Sequence, residues 1–590
     1  MKYKLTEPQN KETIQEEILS RRGIQNPQAY MNTTDKDILP YSLFGDVLGE
    51  AYNIVKKAIE KNYGVGMLVD SDPDGLFSAS TLYQYFKNVF GVECEYYLHE
   101  GKGHGLSDKE TFDRILADVK SKKIRLLMVS DAGSNDVKEC KILSEAGAKI
   151  IVSDHHIIEK ENPYAIIINP QKIPEYKNLD SSGCLVTYKM LKAFDDFEWG
   201  NHADNYFDLV ACSLISDSMD IRNPENRRFI DLGFENIKNK FLNEFITTDY
   251  RMKELNPISV AFYLVPTING MVRSGGADEK LLLFRALCQL DEDFVYVNRK
   301  KEEINESIYT RAIRLCTNSK SRQDRLVDKN LETIIADIEL NNRNKDKILF
   351  AIADETIDKN FTGLVCQKLA SLYGKPCLLL RDNGKGFYTG SARNINNSPL
   401  SGFKSFLSSV GYLSWSAGHE SAFGTSMSSF QLKKTIELSN EKLKGYDFSP
   451  LHLIDYEFDF KKQEDRDDLV EILLPIHNLK QYWGQGISET KILIHNIPVN
   501  SSKINFFGAK EKSEKKNNYK FEISEEFGID VMKFRADDED YIFKNFGQSD
   551  SSFSWNGEDF TIDVIVKVAR SEFNGEQCWS LIVEEMEILP

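Results

Sequence analysis

The chain has 590 residues, 41% of them hydrophobic, which excludes a disordered or fibrous protein; at about 100–200 residues per domain, roughly three to five domains are expected. A formal net charge of −17 disfavours a passive nucleic-acid coat, which leaves a basic footprint, but does not exclude a nuclease whose metal-holding carboxylates bias the total. The nine cysteines form no Cys-x-x-Cys pair, the N-terminal stretch MKYKLTEPQNKETIQEE lacks a signal peptide's apolar run, and no segment is apolar enough to span a bilayer; a reduced, cytoplasmic chain with no membrane partner is expected.

In chain order, residues 1–45 are polar and read as an N-terminal arm with short helices. Residues 46–240 alternate strands predicted at Val65 to Val69, Glu93 to Leu98, Arg125 to Val129, Lys149 to Val152 and Ala165 to Ile168 with helices such as Phe77 to Phe90, Lys109 to Lys122 and Val137 to Ala146. That alternation predicts an α/β domain, a doubly wound and mostly parallel sheet covered by helices. Residues 241–340 read as a helical connector, charged through Asn298-Arg299-Lys300-Lys301-Glu302-Glu303 and from Arg311 to Arg325. Such charge suits either a solvated helix face or a basic wall beside a substrate channel. A second α/β unit covers 341–445 and opens on Ile348 to Ile352, and a charged linker covers 446–479. The last segment, 480–590, alternates at Ile562, Val564, Val566 and Val568 and carries turn signals at Asn556-Gly557 and Asn574-Gly575, predicting a small β-barrel.

The most informative stretch is Leu68-Val69-Asp70-Ser71-Asp72-Pro73-Asp74-Gly75, where an apolar strand runs into three alternating aspartates. Ligands of open α/β sheets bind at the carboxyl ends of strands, and carboxylates packed this closely need a compensating charge. A hard divalent cation such as magnesium or manganese supplies it. A calcium loop begins similarly, but here Gly75 leads into a helix and no glutamate closes such a loop. The pattern recurs: Arg125 to Ser130 ends in Asp131-Ala132-Gly133-Ser134, and Ile150 to Ser153 ends in Asp154-His155-His156. One aspartate after a strand is commonly a helix cap or turn residue; three strands ending this way, with imidazoles added, point to a metal centre.

Asp72-x-Asp74-Gly75, Asp131-x-Gly133, Asp154-His155-His156 and Asp217, which closes the helical run from Asp208, resemble the ordered motifs of the DHH phosphoesterases. The resemblance implies that Asp72, Asp74, Asp131, His155 and Asp217 bind two ions, Mn2+ or Mg2+, with Asp131 as the bridge and Asp70 as a further ligand. It also implies that His156 contacts the phosphate or leaving group and that Asp154 orients the histidines. Two such ions, about 3.5–4 Å apart, activate water and stabilise the leaving oxygen, so no protein nucleophile is needed.

Further along, Gly363 to Leu369, Tyr373, Lys375-Pro376, Gly390-Ser391-Ala392-Arg393 and Ala417 to Gly424 resemble the substrate-binding domain associated with DHH proteins, departing from it at Ala417 and Phe423. Ser391, Arg393 and His419 are its expected phosphate contacts. Three features resemble the RecJ branch: Pro266 to Arg273, whose arginine faces substrate there, with a long helix after it through Asn298 to Arg314; Gly103-His104-Gly105-Leu106, with histidine for tyrosine; and Tyr482-Trp483-Gly484-Gln485-Gly486 opening a β-rich tail similar to an OB fold. In that fold Phe506, Phe507, Tyr519, Phe534 and Trp555, with Lys510, Lys512, Lys515 and Lys516, supply stacking faces and a basic groove, at least half of the aromatics being barrel core.

The resemblance implies a monomeric exonuclease of DNA repair and recombination that degrades single-stranded DNA, with RNA left open, from 5′ to 3′ into mononucleotides. A single-strand-binding protein or a helicase is the partner it suggests. The alternatives are a phosphodiesterase of nano-RNA or cyclic dinucleotides, which needs neither connector nor tail, and an inactive replication scaffold, which would lack ligands that this chain retains.

Overall fold

The structure is a computed structural model describing all residues except 10, 102, 299, 354–356, 509–516, 525–526, 537–539, 548–558, 574–575 and 590. The arm begins with β1 (Tyr3–Leu5) and short helices Ile14–Arg21 and Pro27–Met31. Then come β2 (Val65–Val69), β3 (Glu95–Leu98), β4 (Leu126–Ser130), β5 (Lys149–Ser153) and β6 (Ile166–Ile168), each within two residues of the predicted bounds. They form an all-parallel sheet of order β3-β2-β4-β5-β6. The order reverses between β2 and β4, and the carboxyl ends on either side of such a switch point frame a crevice. Every residue of β2 and β4 is buried because helices cover both faces. Asp72 caps helix Pro73–Phe90, with Pro73 fixed at its first turn, so the acidic loop is shaped by the helix it starts.

The connector is not purely helical. After helices Val265–Ser274 and Ala277–Leu287, a hairpin of β7 (Asp293–Val297) and β8 (Glu303–Ser307) precedes the 33-residue helix Ile308–Leu340. The charged run at Asn298 is therefore the hairpin's turn region and not a helix, with Arg299 outside the described residues. Phe294 and Tyr296 drive the pairing: Arg311 and Arg314 lie over their rings and both pair with Glu306. Arg322 pairs with Glu279 and Lys320 with Asp324, so much of the supposed basic wall is neutralised within the connector.

The second unit holds β9 (Leu349–Ala353), β10 (Cys377–Asp382), β11 (Phe387–Arg393), β12 (Leu413–Gly418) and β13 (Ala422–Ser428) in a mixed sheet of order β12-β13-β11-β10-β9. Phe423 points into its core against Phe403, ring centroids 5.4 Å apart, which is why a bulky residue is accepted there.

The expected linker is instead folded. It carries β14 (His452–Ile454), which pairs with β1, then β15 (Tyr456–Asp459) and helix Gln463–Asn478. The tail adds β16 (Ile492–Asn500), β17 (Asn505–Phe507), β18 (Asn518–Ser524), β19 (Ile529–Lys533), β20 (Asp559–Phe573) and β21 (Glu576–Leu589). With β15 they form a seven-stranded sheet of order β15-β16-β20-β21-β19-β18-β17. Among the described residues its outer strands do not pair with each other, so a mixed sheet is seen there and its closure into a barrel is not. The turn signals at 556–557 and 574–575, Trp555, and Lys510, Lys512, Lys515 and Lys516 lie outside the described residues. One core runs from Ile18 and Leu19 through Phe77 and Leu185 to Trp483 and Val564, so the tail is packed against the first unit. Among the described residues no helix is long and apolar enough to cross a membrane.

Candidate functional site

Four strand or helix ends bring acids to one place. Asp74 is buried, accepts hydrogen bonds from the N–H groups of Gly183 at 2.8 Å and Cys184 at 3.1 Å, and is also bonded by Ser78 and Ser213. These donors come from the N-terminus of helix Gly183–Glu198, a natural anion seat. The Ser181-Ser182-Gly183 run before that apolar helix is a cap signal that sequence reasoning passed over. Asp131 is buried in the left-handed region at φ 62°, a strained conformation typical of sites whose surroundings fix a side chain. Gly183 is required beside it, because a Cβ there would stand 2.5 Å from the Asp131 Cβ. Gly75 is likewise forced, by Asp70, whose Cβ would be 2.6 Å away.

His155 closes the cluster. Its Nε2 lies 3.2 Å from Asp131 Oδ1, 3.3 Å from Asp217 Oδ2 and 4.0 Å from Asp74 Oδ2. Burial lowers its pKa, and the Ser181 carbonyl takes the ring's other hydrogen, which leaves a neutral Nε2 lone pair facing the acids. Neither that nitrogen nor Asp131 Oδ1, both buried, has a hydrogen-bond partner. The carboxyls show the same shortage of positive charge. Burial, then Asp70 and Asp74, push Asp72 up to about 6; burial, then Asp74 and Asp72, push Asp217 up to about 8; Asp131 is raised well above the usual carboxylate range. Ligand atoms of Asp74, His155 and Asp217 lie within 4.8 Å of one another, as do those of Asp70, Asp72 and Asp131 and those of Asp131, Asp154, His155 and His156. Orphaned buried donors and acids held partly protonated fit divalent cations bound by oxygen and imidazole.

Around this cluster the histidines are wired. Asp154 Oδ1 accepts from the backbone N–H groups of His155 at 2.7 Å and His156 at 3.1 Å and stands 2.8 Å from His156 Nδ1. Burial opposes ionisation of Asp154, but His156 and its other donors hold its carboxyl below the usual range. Asp70 is similar: one oxygen accepts from Gly105 N at 2.8 Å and the other faces His104 Nδ1 at 2.9 Å. Against burial, His104 and then His99 bring Asp70 down to about 2.

The substrate-side residues fall into two sets. Arg273, in the last turn of Val265–Ser274, is lowered by burial and by Arg393 and raised by Asp72, so it stands between the acids and the second unit. Arg393 ends β11 with its guanidinium on the first turn of helix Thr362–Tyr373, where a Cβ on Gly363 would be 2.7 Å from Nη2. Ser391 Oγ sits 3.0 Å from Thr362 Oγ1 at the same helix start. Among the described residues no carboxylate is bonded to either arginine. His419 lies apart, on the exposed turn between β12 and β13, a turn tied to the end of β11 by Asn394 N to Ser421 O at 2.8 Å.

The comparisons with known proteins agree with this geometry. Residues 65–214 match the DHH family, N-terminal domain. Over 580 residues the chain is 30% identical to the putative SPbeta prophage-derived single-strand DNA-specific exonuclease YorK of Bacillus subtilis (strain 168), covering 97% of this chain and 95% of that protein. It is 25% identical over 453 residues to the single-stranded-DNA-specific exonuclease RecJ of the same organism, covering 74% of this chain and 54% of that one. A crystal structure of RecJ from Thermus thermophilus in complex with Mn2+ shares the fold with a TM-score of 0.66 at 17% identity, covering 97% of this chain and 75% of that one. The chain therefore belongs to the DHH family, on its RecJ-like branch.

Proposed function

We propose that this chain is a metal-dependent exonuclease that hydrolyses single-stranded DNA from the 5′ end to mononucleotides. The observation that carries the reading is the buried pair Asp131 Oδ1 and His155 Nε2, both without hydrogen-bond partners, among carboxyls that burial and mutual repulsion keep partly protonated. Asp72, Asp74, Asp131, His155 and Asp217 would hold two manganese or magnesium ions, and Asp131 would be shared because it lies within reach of both His155 and the Asp70–Asp72 pair. Asp70 would be a further ligand on the side facing Asp72 and Asp131. When bound, the ions supply activation of water and neutralisation of phosphate charge.

The protein's own residues supply the grip. Arg273, Arg393, Ser391 and the start of helix Thr362–Tyr373 form a cradle for phosphate oxygens, since two half-buried guanidiniums that repel each other are relieved by an anion between them. His156, held at Nδ1 by Asp154, offers Nε2 to the phosphate or leaving group, and His419, on the β12–β13 turn apart from the cradle, is a further phosphate contact of the proposal. Domain boundaries near 45, 240, 340 and 445, a monomeric cytoplasmic state, and recruitment by a single-strand-binding protein or helicase complete the proposal.

The test is digestion of end-labelled oligonucleotides of graded length with manganese. Mononucleotides released from the 5′ end of long single strands, with duplex untouched, are expected. Cleavage confined to di- and trinucleotides would replace this reading with the short-oligonucleotide one.

A further inference from the structure

Two imidazoles stand open beside the acid cluster. His156 follows β5 and His104 follows β3, and each keeps Nδ1 on an aspartate, 2.8 Å from Asp154 Oδ1 and 2.9 Å from Asp70 Oδ2. Their rings meet edge to face with centroids 5.0 Å apart, and their side chains are 44% and 57% exposed. His155 is the contrast, 10% exposed with Nε2 turned in among the acids. The mounting of His104 is rigid. Asp70 is 3% exposed, its second oxygen is held by Gly105 N–H, and the fully buried His99 stands 3.7 Å behind it. An imidazole fixed at Nδ1 has one polar atom left, Nε2, on the side of the ring away from its anchor. A ring kept only for packing would be buried; this one is anchored underneath and open above.

We propose that His104 is a substrate-contacting residue, forming with His156 a pair of carboxylate-anchored imidazoles that holds the oxygens of one phosphate in the cleft. This rests on the reading of the site as a phosphodiester-cleaving centre. The two rings arrive on different strand ends of the same sheet, so neither the acid cluster nor the arginine cradle has to move for both to reach one anion.

The experiment uses the full chain with manganese and a 5′-labelled oligothymidylate, comparing wild type, H104A, H104Q, H156A and the H104A/H156A pair. Removing a charge-assisted hydrogen bond to phosphate with alanine should lower kcat/KM at least tenfold. Because His104 is anchored on Asp70, all variants are compared at saturating manganese, and inhibition by thymidine 5′-monophosphate should weaken by a similar factor. The double variant should lose less than the product of the two single losses, because both rings grip one phosphate, and H104Q should recover part of the activity. An active wild type matched within twofold by H104A at saturating manganese would overturn the proposal, and so would inhibition by thymidine 5′-monophosphate that stays unchanged in H104A. If wild type cleaves no strand, the proposed function fails on its own; monophosphate binding then decides this inference, and equal affinity in wild type and H104A overturns it.

Discussion

The molecule's two five-stranded sheets present opposite charge. The first is wholly parallel, so β2, β4 and β5 all end on one side and each delivers acid or imidazole there. The second is mixed, and the antiparallel β11 brings Ser391 and Arg393 to the start of a helix instead. Arg273 lies between them, sensing Asp72 on one side and Arg393 on the other. Parallel topology concentrates carboxylates that need metal; mixed topology sets basic groups beside helix N–H donors that need phosphate. In the proposed function catalysis and grip fall to different sheets, and substitutions should separate them.

The largest effect should come from the acid sheet. Asp131→Ala removes the proposed shared ligand and should cut kcat by more than about a hundredfold while the fold, followed by circular dichroism, is retained. Near-normal turnover of this variant with manganese would refute the assignment of the centre. On the basic side, Arg393→Ala and Arg273→Ala each remove a charge-assisted hydrogen bond of about 1.5–3 kcal/mol and should raise KM about tenfold or more. Manganese affinity should not change in either; a matching fall in calorimetry would move the arginines into the metal's surroundings and collapse the distinction between the sheets.

A milder test uses the metal-free protein. The Asp72 and Asp217 carboxyls, raised to about 6 and about 8, bind protons more tightly in the folded state than in the unfolded one. Their stabilising contribution is complete below about pH 4, the unfolded range, and is lost as pH rises through about 6 to 8. Chelated protein should therefore melt at lower temperature as pH increases across that window, and saturating manganese should remove the trend, since ions bound to the native state stabilise it. Asp217→Asn should flatten the chelated profile; an unchanged slope would show that these acids are not the strained set.

Much of the acid sheet was legible in the sequence because Asp70 and Asp131 directly follow the buried runs Val65–Val69 and Leu126–Ser130, Asp154 follows the largely buried Lys149–Ser153, and strand ends are where such sheets bind ligands. His104 stood out only as a motif residue; its contact with Asp70 was not legible, since it spans 34 residues and no periodicity encodes it. The β7–β8 hairpin was hidden by its charged turn, which mimics a helix surface, and by strands that are mostly exposed. The folded linker was masked likewise: β15 is four residues long, and it becomes a strand only by pairing with β16, more than thirty positions later. Barrel closure is the same kind of question. Alternation marks β20 correctly, but which strands meet at the sheet's edges depends on long-range pairing.

The smallest effect should lie farthest from both sheets. Tyr519 cannot serve as a stacking face, because it is fully buried and its hydroxyl bonds Asp540. Phe506 packs on it at 5.7 Å, so both belong to the core. Phe534 is different: it is 47% exposed and meets Phe507 edge to face at 6.0 Å near the β17 edge of the tail sheet. Cutting the chain at 480 would not isolate its role, since Trp483 and Val564 belong to the core shared with the first unit. Phe534→Ala leaves that core intact. A base stacked there is worth about 1–3 kcal/mol, so kcat/KM on long single strands should fall about tenfold. Di- and trinucleotides, too short to reach from the acid cluster to the tail, should be cleaved as before. Equal loss on both lengths would mean that Phe534 supports the fold, and no loss on either would take the tail sheet out of the substrate's path.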